Sequence, residues 1–123
     1  MPVSPEYRDY VSELFEGLGP IAIRRMFGGA GVFYDGLMFA LIVDDTLYLK
    51  VDDTNRDKFA DAGSRPFTFE KKKTGTTMLT SYYELPETLF DELDDLIAWA
   101  RESVDVALRA DAKKKKPKKK QAR

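Results

Sequence analysis

Four short apolar runs in the first half of the chain are separated by turns too short for parallel strands. They cover residues 21–27, 31–34, 37–43 and 47–51 and are rich in aliphatic and aromatic side chains. Asp35-Gly36 separates the second and third runs, and such a pair is typical of a two-residue hairpin because both central positions need positive φ. Asp44-Asp45 is predicted to form the next hairpin turn. Parallel neighbours need long crossover connections, so the sequence predicts an antiparallel sheet.

Helices are predicted at both ends of the folded region and once between the strands. Ser4 and Pro5 are a helix start signal, because serine can accept from free amides and proline suits the first turn. A short helix over residues 52–63 is predicted, with Asp52 or Asp53 as its cap and Gly63 as its left-handed stop. The last helix is predicted to begin at Pro86 and to bury one stripe, formed by Leu89, Leu93, Leu96, Ile97, Ala100, Val104 and Leu108.

Two further strands are predicted at residues 67–70 and 76–84, around the turn "KKKTG". The order is then helix, three or four strands, short helix, two strands and long helix. It predicts an α+β fold, in which an antiparallel β-sheet of five to six strands is packed on one face by the N- and C-terminal helices. Residues 1–109 are predicted to form this domain. Residues 110–123 are predicted to be a disordered lysine-rich tail, because alanine, lysine and proline cannot bury a core.

The chain contains neither cysteine nor histidine. This excludes disulfides, thiolate nucleophiles, imidazole bases and the usual zinc and copper ligand sets. The aspartate pairs at 44–45 and 52–53 suit turns and helix starts better than a magnesium site. The sequence therefore assigns no catalytic residue, no metal site and no cofactor, and it predicts a protein that is not an enzyme. Its apolar runs are too short for a membrane span and no signal-peptide core is visible, so a cytoplasmic location is expected.

Charge divides the chain into an acidic body and a basic tail. Residues 1–112 hold all 21 acidic side chains and 12 of the 20 basic ones, a net charge of −9, whereas residues 113–123 carry +8. A flexible polycation binds phosphates by counterion release without reading base sequence. The tail is a candidate for nonspecific nucleic-acid contact, or it could instead aid solubility or screen the acidic body. The candidate contacts are Lys113, Lys114, Lys115, Lys116, Lys118, Lys119 and Lys120.

The stretch "RRMFGGAGVFYDG", residues 24–36, combines four glycines with two arginines. A phosphate loop leads into a helix N-terminus, but here a strand and a hairpin turn follow, so the glycines are predicted to form a bulge or turn between strands. Alternation places Arg24 and Arg25 on opposite faces of their strand. One of them either forms a buried ion pair or belongs to a surface for an anionic or protein partner.

Trp99 and Val106 fall on the acidic side of the last helix, away from its predicted apolar stripe. An exposed tryptophan there would suit a protein interface, or both side chains could pack beneath the N-terminal helix. The candidate interaction surface predicted from the sequence therefore consists of Arg24, Arg25, Trp99 and Val106.

Several sequence blocks in a fixed order resemble the TfoX N-terminal domain family, over about residues 7–106. The blocks are "RRMFGGAGVFYDGLMFALIVDDTLYLKVDD", "SRPFTF" and "SYYELPETLFDELDDLIAWA". The residues that carry the resemblance are Arg25, Met26, Phe27, Gly28, Gly29, Gly36, the strand 47–50, Pro66, Phe67, Tyr83, Leu85 and Pro86.

The resemblance implies an α+β fold and a role in regulating natural competence, with no enzymatic site to transfer. Longer family members have a second domain and are thought to act as transcriptional coactivators with a DNA-bound regulator. Here we expect the lysine tail to take the place of that domain. We expect a non-enzymatic regulatory or adaptor domain, monomeric or homodimeric, that contacts a protein partner such as a transcription regulator. Its tail would add nonspecific DNA tethering, and no membrane partner is expected. The alternative is an accessory nucleic-acid-binding protein that acts mainly through its lysine-rich tail.

Overall fold

The computed structural model describes residues 4–26, 29–71 and 75–115. Helix α1 spans Pro5–Leu14 and is followed by strands β1 (Ala22–Met26), β2 (Gly29–Tyr34), β3 (Leu37–Val43) and β4 (Thr46–Lys50). Helix α2 (Arg56–Asp61) precedes β5 (Pro66–Lys71) and β6 (Gly75–Glu84). A 3₁₀ turn at Glu87–Asp91 leads into the long helix α3, Leu93–Lys115. The predicted order of elements is confirmed.

The six described strands form one antiparallel sheet with the order β1-β2-β3-β4-β6-β5. Most of the pairings join strands that are consecutive in the chain. The exception is the pairing of β4 with β6, through Tyr48↔Glu84, Leu49↔Tyr83 and Lys50↔Tyr82. This β4–β6 seam joins the first four strands to the β5–β6 hairpin. The predicted α+β fold with an antiparallel sheet is therefore confirmed.

Local sequence signals account for the turns. Asp35 and Gly36 have φ values of 53° and 80°, and Asp44 and Asp45 have φ values of 53° and 55°, so both predicted hairpin turns are confirmed. Ser4 caps α1, because its Oγ accepts a hydrogen bond from the amide of Tyr7 at 3.1 Å.

The glycine-rich stretch brings β2 very close to β3. A Cβ atom on Gly29 would collide with the backbone carbonyl oxygen of Ile42, so only glycine fits this approach. Gly29 pairs with Met26 at the start of the β1–β2 hairpin. This agrees with the predicted turn between strands, whereas residues 27 and 28 lie outside the described residues.

One face of the sheet packs against the helices. The cross-strand row Ile23, Val32, Ala40, Leu49 and Tyr83 belongs to the hydrophobic core or packs against it. Side chains of the helices and of the chain beside them complete this core, and the fully buried ones among them are Val11, Phe15, Phe59, Leu96 and Ala100. Neighbouring positions along a strand point to opposite faces, so the adjacent row of side chains lies on the side away from the helices.

The buried stripe of α3 differs from the predicted one. Leu93 and Leu108 are 52% and 51% exposed, whereas Val106 is 2% exposed. One reason is that α3 begins at Leu93 rather than near Pro86, since a 3₁₀ turn precedes it, so Leu93 lies in the first turn of the helix. Val106, on the flank of the stripe, lies beside Ser81 and the segment that follows β4.

Two predicted boundaries also differ. Helix α2 starts after Asn55, which occupies the cap position without a side-chain cap bond, so the prediction of Asp52 or Asp53 as the cap is wrong. Asp52 instead accepts from the amide of Thr54 at 2.9 Å and organises the preceding turn. The predicted start of the tail at residue 110 also differs. Helix α3 continues through residues 110–115, because alanine and lysine are good helix formers. Residues 116–123 of the predicted tail lie outside the described residues.

Candidate interaction surface

Arg24 and Arg25 lie on β1, which is an edge strand of the sheet. Both side chains are exposed, and neither forms an ion pair within the described part of the chain. The prediction of a buried ion pair is therefore wrong. The Arg24 guanidinium carbon lies 5.1 Å from the centre of the Phe33 ring, within the range of a cation–π interaction. Charged side chains on an edge strand also oppose pairing with a foreign strand.

Arg24 begins a row of side chains on the sheet face that points away from the helices. Strand pairing aligns Arg24, Gly31, Leu41, Tyr48 and Glu84 across five strands. We call this row, together with the flanking rings of Phe33 and Phe67, the open face. Its centre is apolar, its β1 end is cationic and its β6 end is anionic.

Tyr48 is the aromatic centre of the open face. Its ring packs edge-on against Phe67, with ring centres 5.1 Å apart, and both side chains are partly exposed. Burial raises the pKa of Tyr48, the carboxylates of Glu84 and Asp44 raise it further, and Arg65 opposes them. The phenol therefore stays protonated at neutral pH and can donate or accept a hydrogen bond at this surface.

The structure does not bring Trp99 and Val106 into the same surface as the arginines. Trp99 is half-buried, packs against Phe59 at 4.8 Å between ring centres and lies 4.4 Å from the Lys58 ammonium. This arrangement fastens α2 to α3. Val106 is buried, so the prediction that it forms an exposed anchor is wrong.

The lysine cluster is only partly described. Lys113, Lys114 and Lys115 form the C-terminal end of α3. Lys116, Lys118, Lys119 and Lys120 lie outside the described residues. Contact of these lysines with nucleic acid stays a prediction.

A cleft that no sequence pattern predicted lies where α1, the β3–β4 turn and the 3₁₀ turn meet. We call it the acidic cleft and define it by Tyr7, Asp45, Glu84, Glu87 and Phe90. Its volume is about 260 Å³. Burial is the largest cause that raises the pKa of Tyr7 to about 12, and the charges of Tyr10, Asp45 and Glu84 raise it further. Residues from four separate segments form this cleft, so no local spacing could predict it.

Two other kinds of feature, a metal site and a membrane-spanning helix, are absent from the described residues. No group of three or more Asp and Glu side chains within them is arranged to hold a metal ion. Among the helices described, none combines the length and the apolar character needed to cross a membrane.

Comparison with known proteins places the chain in a family. The sequence-family model of the TfoX N-terminal domain matches residues 13–107 of this chain. The chain is 30% identical over 88 residues to DNA transformation protein TfoX1 of Aliivibrio fischeri, an alignment that covers 72% of this chain and 41% of that protein. It is 28% identical over 97 residues to Protein Sxy of Escherichia coli, which covers 79% of this chain and 46% of that protein. The chain thus spans less than half the length of these relatives. With a match over most of its folded part, the chain belongs to the TfoX N-terminal domain family.

Proposed function

We propose that this domain is a non-enzymatic regulatory adaptor that binds a protein partner at the open face and so modulates transcription, competence genes included. The observation that carries the proposal is the open face itself, where the partly exposed rings of Phe33, Tyr48 and Phe67 lie on the side of the sheet away from the helices. The name of the TfoX1 relative, a DNA transformation protein, supports a role in competence. We expect the protein to act in the cytoplasm as a monomer or homodimer.

The partner's chemistry follows from the open face. The partly exposed rings of Tyr48 and Phe67 would pack against apolar groups of the partner, and Arg24 would meet its carboxylates. Arginine suits this task because its planar guanidinium pairs with carboxylates in a bidentate geometry. The partner surface is therefore apolar at its centre and acidic where it faces β1.

Complementation of a strain that lacks the gene tests this function. We expect the wild-type chain to restore the transcripts lost on deletion, and the Arg24→Gln/Arg25→Gln variant to fail at equal protein level. Arg8→Gln/Arg101→Gln is the matched control, because it removes two exposed arginines from helices α1 and α3 and leaves the open face intact. Transcript profiles that are the same for both double variants would contradict a role for the open face.

The lysine-rich segment favours a second function, nonspecific tethering to nucleic acid. We propose that Lys113–Lys120 add phosphate contacts to the adaptor, or alternatively carry the whole function of an accessory nucleic-acid-binding protein. The +8 charge of residues 113–123 supports this proposal.

Duplex DNA binding across a salt series tests the tether with the full chain. Replacing Lys116, Lys118, Lys119 and Lys120 by glutamine leaves α3 complete and should lower the salt slope by about 0.9 for each phosphate that is no longer neutralised. Arg8→Gln/Arg101→Gln should leave the slope unchanged. If the lysine variant binds DNA as the wild type does, these lysines do not form the tether.

A further inference from the structure

The acidic cleft is bordered by one exposed aromatic side chain, Tyr10. Tyr10 is 41% exposed, stacks on Phe90 with ring centres 6.1 Å apart, and lies 5.8 Å from the Tyr7 ring. Aromatic rings beside carboxylates attract the aliphatic stem of a lysine as well as its ammonium group.

The carboxylates of the cleft have few cationic partners. Asp45 accepts one hydrogen bond from the backbone amide of Ser4 at 3.2 Å. Neither Glu84 nor Glu87 forms an ion pair within residues 4–26, 29–71 and 75–115. The negative potential of the cleft is therefore available to a ligand.

From this geometry we propose that the acidic cleft binds the lysine-rich segment, residues 116–120, of a second copy of this chain. Both halves of the complementarity belong to this chain: three carboxylates beside aromatic rings, and a run of four lysines interrupted only by Pro117. The acidic cleft shares only Glu84 with the open face, and the proposal adds a reversible self-association to the regulatory role.

Chain geometry prevents residues 116–120 from reaching the acidic cleft of their own molecule. Residues 93 and 115 are separated by a helix of about 33 Å, at 1.5 Å per residue. A fully extended chain advances at most about 3.6 Å per residue, so Lys120 lies no more than about 18 Å beyond Lys115. The lysines cannot return to the Leu93 end of their own helix, and the contact must form between molecules.

A labelled peptide with the sequence of residues 112–123, titrated into the full chain at low ionic strength, tests the contact directly. We expect Asp45→Asn/Glu87→Gln to weaken peptide binding about threefold to tenfold, the effect of losing two surface ion pairs. Both substitutions keep the shape of the side chain, and asparagine tolerates the positive φ at position 45.

The control variant is Asp35→Asn/Asp105→Asn. It also removes two charges, one of them at a hairpin turn with positive φ, but Asp35 lies at the opposite end of β3 from Asp45. This variant should bind the peptide within about twofold of the wild type, since charges beyond a Debye length are screened. An equal loss of binding in both variants would show a general charge effect and overturn the proposal.

Sedimentation of the full chain provides the second measurement. Association should increase with protein concentration, weaken with salt and disappear when Lys116, Lys118, Lys119 and Lys120 are replaced by glutamine. A chain that stays monomeric at all concentrations in low salt, or a peptide that does not bind, overturns the proposal and leaves the open-face function untouched.

Discussion

The guanidinium of Arg109 lies against the carboxylate of Asp52, with Nη2 3.1 Å and Nε 3.2 Å from Oδ2. Nη2 also donates to the Thr54 hydroxyl at 2.9 Å. The contact joins α3 to the segment between β4 and α2. It therefore helps to hold α3 beside this segment, which lines one pocket together with Val106.

This pair should contribute a small, pH-dependent stabilisation. Partial burial acts to raise the pKa of Asp52, but hydrogen bonds from Thr54 and Arg109 outweigh it and hold the pKa below its ordinary value. A depressed pKa stabilises the fold above the unfolded value of about 3.9, and this stabilisation is lost as the pH falls through the folded value. At neutral pH, a double-mutant cycle of Asp52→Asn and Arg109→Gln should give a coupling of about 0.5 kcal/mol in urea unfolding. A coupling that persists in strong acid would show that the stabilisation does not come from the ionised carboxylate of Asp52.

Gly29→Ala should lower the free energy of unfolding by about 2 kcal/mol, because the new Cβ has to displace the backbone of Ile42. Gly17→Ala is the control, since a Cβ there would lie 3.5 Å from the Ile97 side chain, an ordinary contact. Thermal unfolding of both variants distinguishes them. A Gly29→Ala protein as stable as the wild type would show that β2 and β3 are farther apart than described.

Val106→Ala should lower the free energy of unfolding by about 2 kcal/mol, whereas Leu108→Ala should change it by less than about 0.5 kcal/mol. The reason is that Val106 is 2% exposed and Leu108 is 51% exposed. Urea unfolding with fluorescence of the single tryptophan, Trp99, measures both. The reverse order would restore the stripe predicted from the sequence.

High pH should destabilise the protein through two tyrosines, the half-buried Tyr7 and the buried Tyr82. The pKa values of Tyr7 and Tyr82 are each raised to about 12, with burial as the largest cause. Because the folded values exceed the unfolded value of about 10, the folded state resists ionisation, and stability falls as the pH rises from about 10 toward 12. Tyr7→Phe and Tyr82→Phe should each flatten this fall, which chemical unfolding across the alkaline range measures. If the free energy of unfolding falls equally with pH in the wild type and in both variants, these two tyrosines do not cause the alkaline loss of stability.

The parts of the fold that local chemistry decides could be predicted from the sequence. Asp35-Gly36 and Asp44-Asp45 specify hairpin turns through their own backbone preferences, and Ser4 caps its helix with its own side chain. The family resemblance was carried by blocks from these same strands and turns, and it is confirmed.

The parts that tertiary packing decides could not be predicted. A helical wheel places Val106 among acidic residues, but the chain after β4 lies beside it and Val106 is buried. Alternation along β1 could not decide whether Arg24 or Arg25 was buried, because the strand lies at the sheet edge and leaves both exposed. The residues of the acidic cleft are distant in sequence and meet only when β6 joins β4, so no spacing along the chain indicates them.

We expect the β4–β6 seam to be the slowest strand pairing of this sheet to form. The other strand pairings of the sheet close between consecutive strands, whereas the seam has to bring Lys50 and Tyr82 together across the whole segment between them. The entropy lost on closing a loop grows with its length, and non-local strand pairing slows folding. The first four strands and the β5–β6 hairpin each pair consecutive strands, and we expect the rate at which the two parts dock to set how soon a new chain acquires both the open face and the acidic cleft.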